Sequence, residues 1–174
     1  MYLSPRLSRS VRISGRILVD LQASLDRPDA NLTALLVDYG EGDEFPRASE
    51  SASTLQRETC WGESSKQDDA CYRETRIDVS KVDSTIVSRG WLDARHHESE
   101  RRNTPVIPDS VYSFKWDIFG DDYAFARGHR IGLVIAGSDQ SFTIPDPMGA
   151  TVTVELGAST LTLPVVGGAS RLAS

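Results

Sequence analysis

The chain has 174 residues, with 19 Lys or Arg against 25 Asp or Glu and a formal net charge of −6. That length suits one domain, which at this size buries roughly 68–70% of its unfolded surface and needs no staples to hold a core. The acidic balance argues against a nucleic-acid or membrane-surface partner, because phosphate binding needs a basic face, and no run of about 18 apolar residues is present to span a bilayer.

The patterning is mostly of period two. From Ile17 to Leu25 the odd positions are Ile17, Val19, Leu21, Ala23 and Leu25, while Asp20, Gln22 and Ser24 fall between them. This predicts a long half-buried strand, extended by Val11 and Ile13 with a bend or bulge at Gly15. Leu32 to Tyr39 is almost continuously apolar and predicts a strand covered on both faces. Ile86 to Ala94 is a third strand. Tyr112, Phe114, Trp116 and Ile118 alternate in a fourth, and Ile131, Leu133 and Ile135 in a fifth closed by Gly137. Val152–Val154–Leu156 and Leu161–Leu163–Val165 complete the set. Gly157-Ala158 between them suits a tight hairpin turn, because glycine takes the required positive φ at little cost. Pro105, Pro108, Pro145 and Pro147 fall between the runs. No segment carries a sustained helical stripe. Seven or more short strands with Gly/Pro/Asp punctuation predict an all-β, mainly antiparallel sandwich or jelly roll.

Residues 41 to about 83 differ. They are polar and Ser-rich with little periodicity, and a structureless loop of that length is uncommon, so the stretch should carry a staple or short elements of its own. It holds both cysteines, Cys60 and Cys71. These are either two free thiols or one disulfide closing a surface loop. The disulfide is the expectation, since paired cysteines in a hydrophilic excursion suit an oxidising compartment. Zinc is not expected, because two thiolates lack two further ligands nearby.

Catalytic signatures are missing. No nucleophile elbow, phosphate-binding loop or zinc-protease motif occurs. His129, in Arg127-Gly128-His129-Arg130, reads as a turn residue bonded to backbone. His96 and His97 read as part of a solvated, charge-laced loop. Asp121-Asp122 reads as a turn, with too few oxygens for calcium. Trp116 fits the core period, Trp91 is ambiguous, and Trp61 should pack on the staple beside Cys60. The three tryptophans could alternatively form a sugar platform.

Taken in order, YLSPRL, VRISGRILVDL, DRPDANLTALLVD, VSRGWLDARHHES, YSFKWDIFGDDYAFARGHRIGLVIAGSD and LTLPV resemble the C-terminal domain of X-Pro dipeptidyl-peptidase-like serine hydrolases, a family that includes cocaine esterase and related acylases. The resemblance runs from about Tyr2 to Val166. It implies a jelly-roll β-sandwich of the galactose-binding-domain-like class, filling residues 1–174 as a single C-terminal domain with a polar insertion at about 41–83. It also implies that the catalytic Ser, Asp and His lie upstream in an α/β-hydrolase domain, so no catalytic, cofactor-binding or metal residue is expected here. The expected partner is that catalytic domain, against which this piece would pack and help wall the active-site cleft. The parent would release N-terminal Xaa-Pro dipeptides by Ser-His-Asp chemistry. Tyr2, Trp91, Arg95 and His96 are the expected interdomain contacts. The Cys60–Cys71 insertion resembles secreted actinobacterial members. The opening Met1-Tyr2-Leu3-Ser4-Pro5-Arg6 has no apolar signal region, so the expectation is a piece of a longer extracellular chain, with a cytoplasmic protein as the alternative. The competing function is a free-standing carbohydrate- or ligand-binding module, since fold alone does not separate the two.

Overall fold

The computed structural model describes residues 1–44, 52–144 and 149–172; Pro145 and Pro147 lie outside them. The strands are β1 (Tyr2–Leu3), β2 (Val11–Leu25), β3 (Asn31–Glu44), β4 (Ala52–Cys60), β5 (Cys71–Ile77), β6 (Ser80–Asp93), β7 (Val111–Phe125), β8 (Arg130–Ala136), β9 (Val152–Val154) and β10 (Thr160–Thr162). Helix among the described residues is limited to three one-turn 3-10 segments, at Ala94–His96, Leu156–Ala158 and Ala169–Arg171. One sheet runs β1-β8-β3-β6. A second runs β10-β2-β7, with β9 also on β2. The molecule is an all-β, antiparallel sandwich.

β2 supplies the centre of the second sheet. Its inward set Val11, Ile13, Ile17, Val19, Leu21, Ala23 and Leu25 is fully buried, side by side with Phe114, Ile118 and Phe125 of the neighbouring β7 in one core cluster. The β2–β7 register slips between Gly15 and Ile17, and Gly15 takes φ of 123°. That bulge keeps Ile13 and Ile17 on the same face despite the irregular step. β3 is buried on both faces from Leu32 to Asp38 apart from Leu35, in keeping with its unbroken apolar run. Gly90 of β6 marks a close approach between the sheets. A Cβ there would sit 2.7 Å from the Ile118 backbone.

The expected hairpin at Gly157-Ala158 does not form. β9 and β10 both pair with β2, through Val154↔Ala23 and Leu161↔Val19, and Val165 bridges Ile13 further along. The segment 152–165 is thus one interrupted strand following β2. The interruption is satisfied locally: the Glu155 N–H donates to the Gln22 carbonyl at 2.8 Å, and the Gln22 N–H donates to the Ser159 hydroxyl at 3.0 Å. A buried strand partner outweighs a turn preference here, because β2 would otherwise leave an unpaired edge.

The chain divides into two compact units, Met1–Gly40 with Ser84–Ser174, and Glu41–Asp83. In the second, β4 and β5 form an antiparallel hairpin with Thr59↔Tyr72 and Cys60↔Cys71 in register.

Candidate functional site

The N-terminal segment is fastened to β8. The Ser4 N–H donates to Ile131 O at 2.8 Å and the Leu7 N–H to His129 O at 2.9 Å, and Arg130 returns a 2.8 Å bond to Ser4 O. Tyr2 therefore stands on β1, a two-residue edge strand. It lines an apolar groove of about 470 Å³ together with Leu7, Leu133, Leu161 and Leu163. Leu156 and Leu172 also line this groove, and both are exposed, as is Leu3.

Trp91, Arg95 and His96 lie elsewhere. Trp91 is on β6, at the opposite edge of the sheet from β1, so Tyr2 does not share a surface with it. Trp91 and His96 line a polar cleft of about 440 Å³, with His97, Lys115 and Trp116. Behind it, Trp91 stacks on Phe142 at 5.5 Å and meets the edge of Phe119 at 5.5 Å. Arg89 covers Phe142 and forms a largely buried ion pair with Asp139 at 2.9 Å. Phe119 and Phe142 are exposed in this cluster.

Arg95 bridges Asp29 at 2.9 Å and Asp93 at 3.0 Å, locking the turn after β6 to the β2–β3 loop. Burial raises the Asp29 carboxyl, and contact with Asp93 raises it further. Burial also works against the Asp93 charge, but hydrogen bonds from Arg95 and its other neighbours outweigh it and the Asp93 carboxyl falls below its usual range. His96 sits 3.7 Å from Asp93.

Several sequence expectations are corrected. His97 is not a solvated loop residue: its Nδ1 lies 2.9 Å from Ala94 O and its ring packs edge-on to Tyr112 at 5.0 Å. Asp121-Asp122 is not a turn but part of β7, and Asp122 is held by Arg12 at 2.7 Å and 2.5 Å. His129 is bonded to a side chain rather than to backbone. Its Nδ1 lies 3.0 Å and 3.1 Å from the Asp38 oxygens, so that nitrogen carries the proton and donates. The Tyr123 hydroxyl donates to the same carboxylate at 3.0 Å. Asp38 belongs to the first sheet and Tyr123 to the second, so one buried carboxylate ties the two layers. Burial first, and then the bond to Asp38, push the Tyr123 phenol up to about 12. Sequence reasoning missed this triplet, although an aspartate inside LTALLVDY signalled a buried charge needing partners.

In the 41–83 unit, Cys60 and Cys71 are disulfide-bonded with Cα atoms 3.9 Å apart. Their sulfurs and the Glu58 carboxylate lie within 4.8 Å of one another, but bonded sulfurs offer no thiolate to a cation. Trp61 packs on Tyr72 with ring centroids 5.6 Å apart and planes at 52°, and Trp61 is 69% exposed. The Tyr72 hydroxyl donates to Asp68 at 2.6 Å. That bond holds the Asp68 carboxyl low and raises the Tyr72 phenol.

Comparison with known proteins supplies the frame for these surfaces. Residues 1–171 match the family described as the X-Pro dipeptidyl-peptidase C-terminal non-catalytic domain. A Streptomyces avermitilis protein provisionally named Xaa-Pro dipeptidyl-peptidase is 34% identical over 171 residues, 97% of this chain and 25% of its own length. A Rhodopirellula baltica protein of the same provisional name is 31% identical over 100% of this chain and 22% of its own length. The chain therefore spans about a quarter of the relatives it matches. An α-amino acid ester hydrolase structure superposes with TM-score 0.61 at 20% identity, over 95% of this chain and 25% of that one. A CocE/NonD family hydrolase from Staphylococcus aureus superposes with TM-score 0.56 at 13% identity, over 93% of this chain and 30% of that one. These two likenesses speak to fold alone. With nearly its whole length matched, the chain belongs to the X-Pro dipeptidyl-peptidase C-terminal non-catalytic domain family.

Proposed function

We propose that this domain docks on the α/β-hydrolase domain of a longer chain that releases Xaa-Pro dipeptides, and that the apolar groove beside Tyr2 is the docking surface. The observation that carries the reading is the groove itself. A cavity of about 470 Å³ is rimmed by the exposed leucines Leu3, Leu156 and Leu172, and an apolar opening of that kind marks an interaction site. Interdomain seams typically bury about 600–1,500 Å². We place a separate contact at the other sheet edge, where Phe119 and Phe142 flank Trp91 beside the cleft that Trp91 and His96 line. Arg95 acts there indirectly, by holding the turn that carries His96.

The relatives' names support the substrate class, and their length supports the larger parent. We read the chain as one C-terminal β-sandwich domain with 41–83 inserted. The jelly-roll class is supported by the connections β2–β3, β6–β7 and β7–β8, each of which passes from one sheet to the other. The Cys60–Cys71 bond supports an extracellular setting, since exposed disulfides persist where thiols are not kept reduced.

A chimera tests the docking. When this chain replaces the matching segment of the Streptomyces avermitilis relative, Leu156→Asp should lower kcat/KM for a Gly-Pro reporter about tenfold, roughly 1.4 kcal/mol of transition-state stabilisation. The isolated chain should keep its Tm, because Leu156 is 62% exposed. Unchanged activity and unchanged Tm in the chimera would remove the groove from the seam.

A further inference from the structure

We propose that the tip of the β4–β5 hairpin is a binding site for proline-containing peptide chains with a free, cationic N-terminus. The inference rests on the reading that the parent acts on Xaa-Pro peptides, and it adds a second contact for those peptides outside the catalytic domain.

The tip is built to hold two aromatic faces in the open. Trp61 follows Cys60 and its N–H donates to Ala70 O at 2.9 Å, so Trp61 stands diagonally across the hairpin from Tyr72, on the same face. The two rings meet at 52° and make a shallow notch, with Trp61 69% and Tyr72 45% exposed. The disulfide joins the intervening register pair Cys60↔Cys71, whose side chains take the other face of the hairpin. The loop beyond is fixed by its own side chains. Ser65 Oγ accepts the Gln67 and Asp68 N–H groups at 3.2 Å and 3.1 Å. Asp68 accepts Ala70 N–H at 2.8 Å, and Asp69 accepts Cys71 N–H at 3.0 Å. A notch held this way loses little conformational entropy on binding. Exposed Trp and Tyr are also the side chains that most often anchor a partner.

The chemistry of the notch selects its occupant. A prolyl ring offers a flat aliphatic face and no backbone N–H, so it packs on aromatic faces without asking for an acceptor. The residue before proline is held extended, which presents the ring in advance. Sugars, by contrast, need free polar groups beside the ring planes. Here both Asp68 oxygens and one Asp69 oxygen are already used inside the loop. Between Trp61 and Tyr72 the sequence has Glu63, Asp68 and Asp69 against Lys66, which favours a cationic peptide terminus over an anionic one.

The test uses this chain as it stands, followed by NMR of the tryptophan indole N–H signals. Trp61→Ala assigns the Trp61 signal, and because the side chain is exposed the variant should fold. The probe is a short peptide of alternating Gly and Pro with a free amino terminus. It should shift the Trp61 signal in a saturable way, while the Gly-Ala counterpart binds at least about tenfold more weakly and N-acetylation weakens binding again. Tyr72→Phe should retain binding, because the ring stays. Equal shifts with the Gly-Pro and Gly-Ala peptides would overturn the proposal. So would no saturable Trp61 shift with the Gly-Pro peptide, or a saturable shift with a cello-oligosaccharide alone. The readout needs no catalytic domain, so it fails or succeeds independently of the Leu156→Asp chimera.

Discussion

Replacing Asp38 by Ala should be among the most damaging single polar changes in this domain. Asp38 is 4% exposed and accepts from both Tyr123 on the opposite sheet and His129 on the turn before β8. Hydrogen bonds to a charged group contribute about 1.5–3 kcal/mol each, and a donor left without a partner costs its desolvation. Tyr123 and His129 are only partly covered and recover some water, so the two bonds together imply a loss of about 2–4 kcal/mol. Against a total stability of about 5–15 kcal/mol, and at roughly 2–4 °C per kcal/mol for a chain of this size, the Tm should fall by about 5–15 °C. Asp38→Asn retains an oxygen and the shape but loses the charge, and should cost about half as much. Chemical denaturation of Asp38→Ala, Tyr123→Phe and the double variant gives the coupling directly.

Alkaline titration provides a second readout. The Tyr123 phenol is pushed up to about 12, by burial first and then by Asp38, above its ordinary value of about 10. A folded pKa above the unfolded one means that the contribution of this group is complete below pH ~10 and is lost as pH rises through about 12. In Asp38→Ala the burial remains but the carboxylate does not, so one tyrosine should form tyrosinate earlier in the absorbance titration. A destabilisation below about 0.5 kcal/mol, or no coupling between Asp38 and Tyr123, would refute the account of this carboxylate as the tie between the layers.

Two further outcomes follow from the same geometry. Gly90→Ala places a methyl group 2.7 Å from the Ile118 backbone, where no side chain can rotate away. It should destabilise by about 1–3 kcal/mol as an overpacked contact, whereas Gly62→Ala, with nothing within 4 Å of the added carbon, should suffer only from its positive φ. Reducing Cys60–Cys71 should raise the intact mass by two hydrogens. It should also accelerate amide exchange in 52–77 while leaving β2 and β7 protected, because the loop closed by the bond lies wholly within that hairpin. Equal loss of protection in β2 would show that the sandwich depends on the bond.

Strands whose burial is one-sided or complete are legible in the amino-acid pattern alone. Alternation in Ile17–Leu25 and in Tyr112–Ile118, and the unbroken apolar run at Leu32–Tyr39, are direct consequences of which faces meet the core, so composition and spacing report them. The bulge at Gly15 was legible because glycine punctuates a strand for few reasons. The ordered motifs carry the resemblance to the family without reference to the strands. Features assembled from distant segments are not legible there and arise only on packing. The hairpin β4–β5 has no buried face to impose a period, so its polar sequence could not announce it. The turn expected at Gly157-Ala158 gave way to pairing with β2, because local turn preference is worth less than satisfying a long strand's edge. His129 carries no mark in Arg-Gly-His-Arg of the aspartate 91 positions away that fixes its tautomer. The groove beside Tyr2 exists only because residues 2–7, 19–21, 131–133 and 156–172 converge, and convergence of that kind is a property of the packed sheets rather than of any window of sequence.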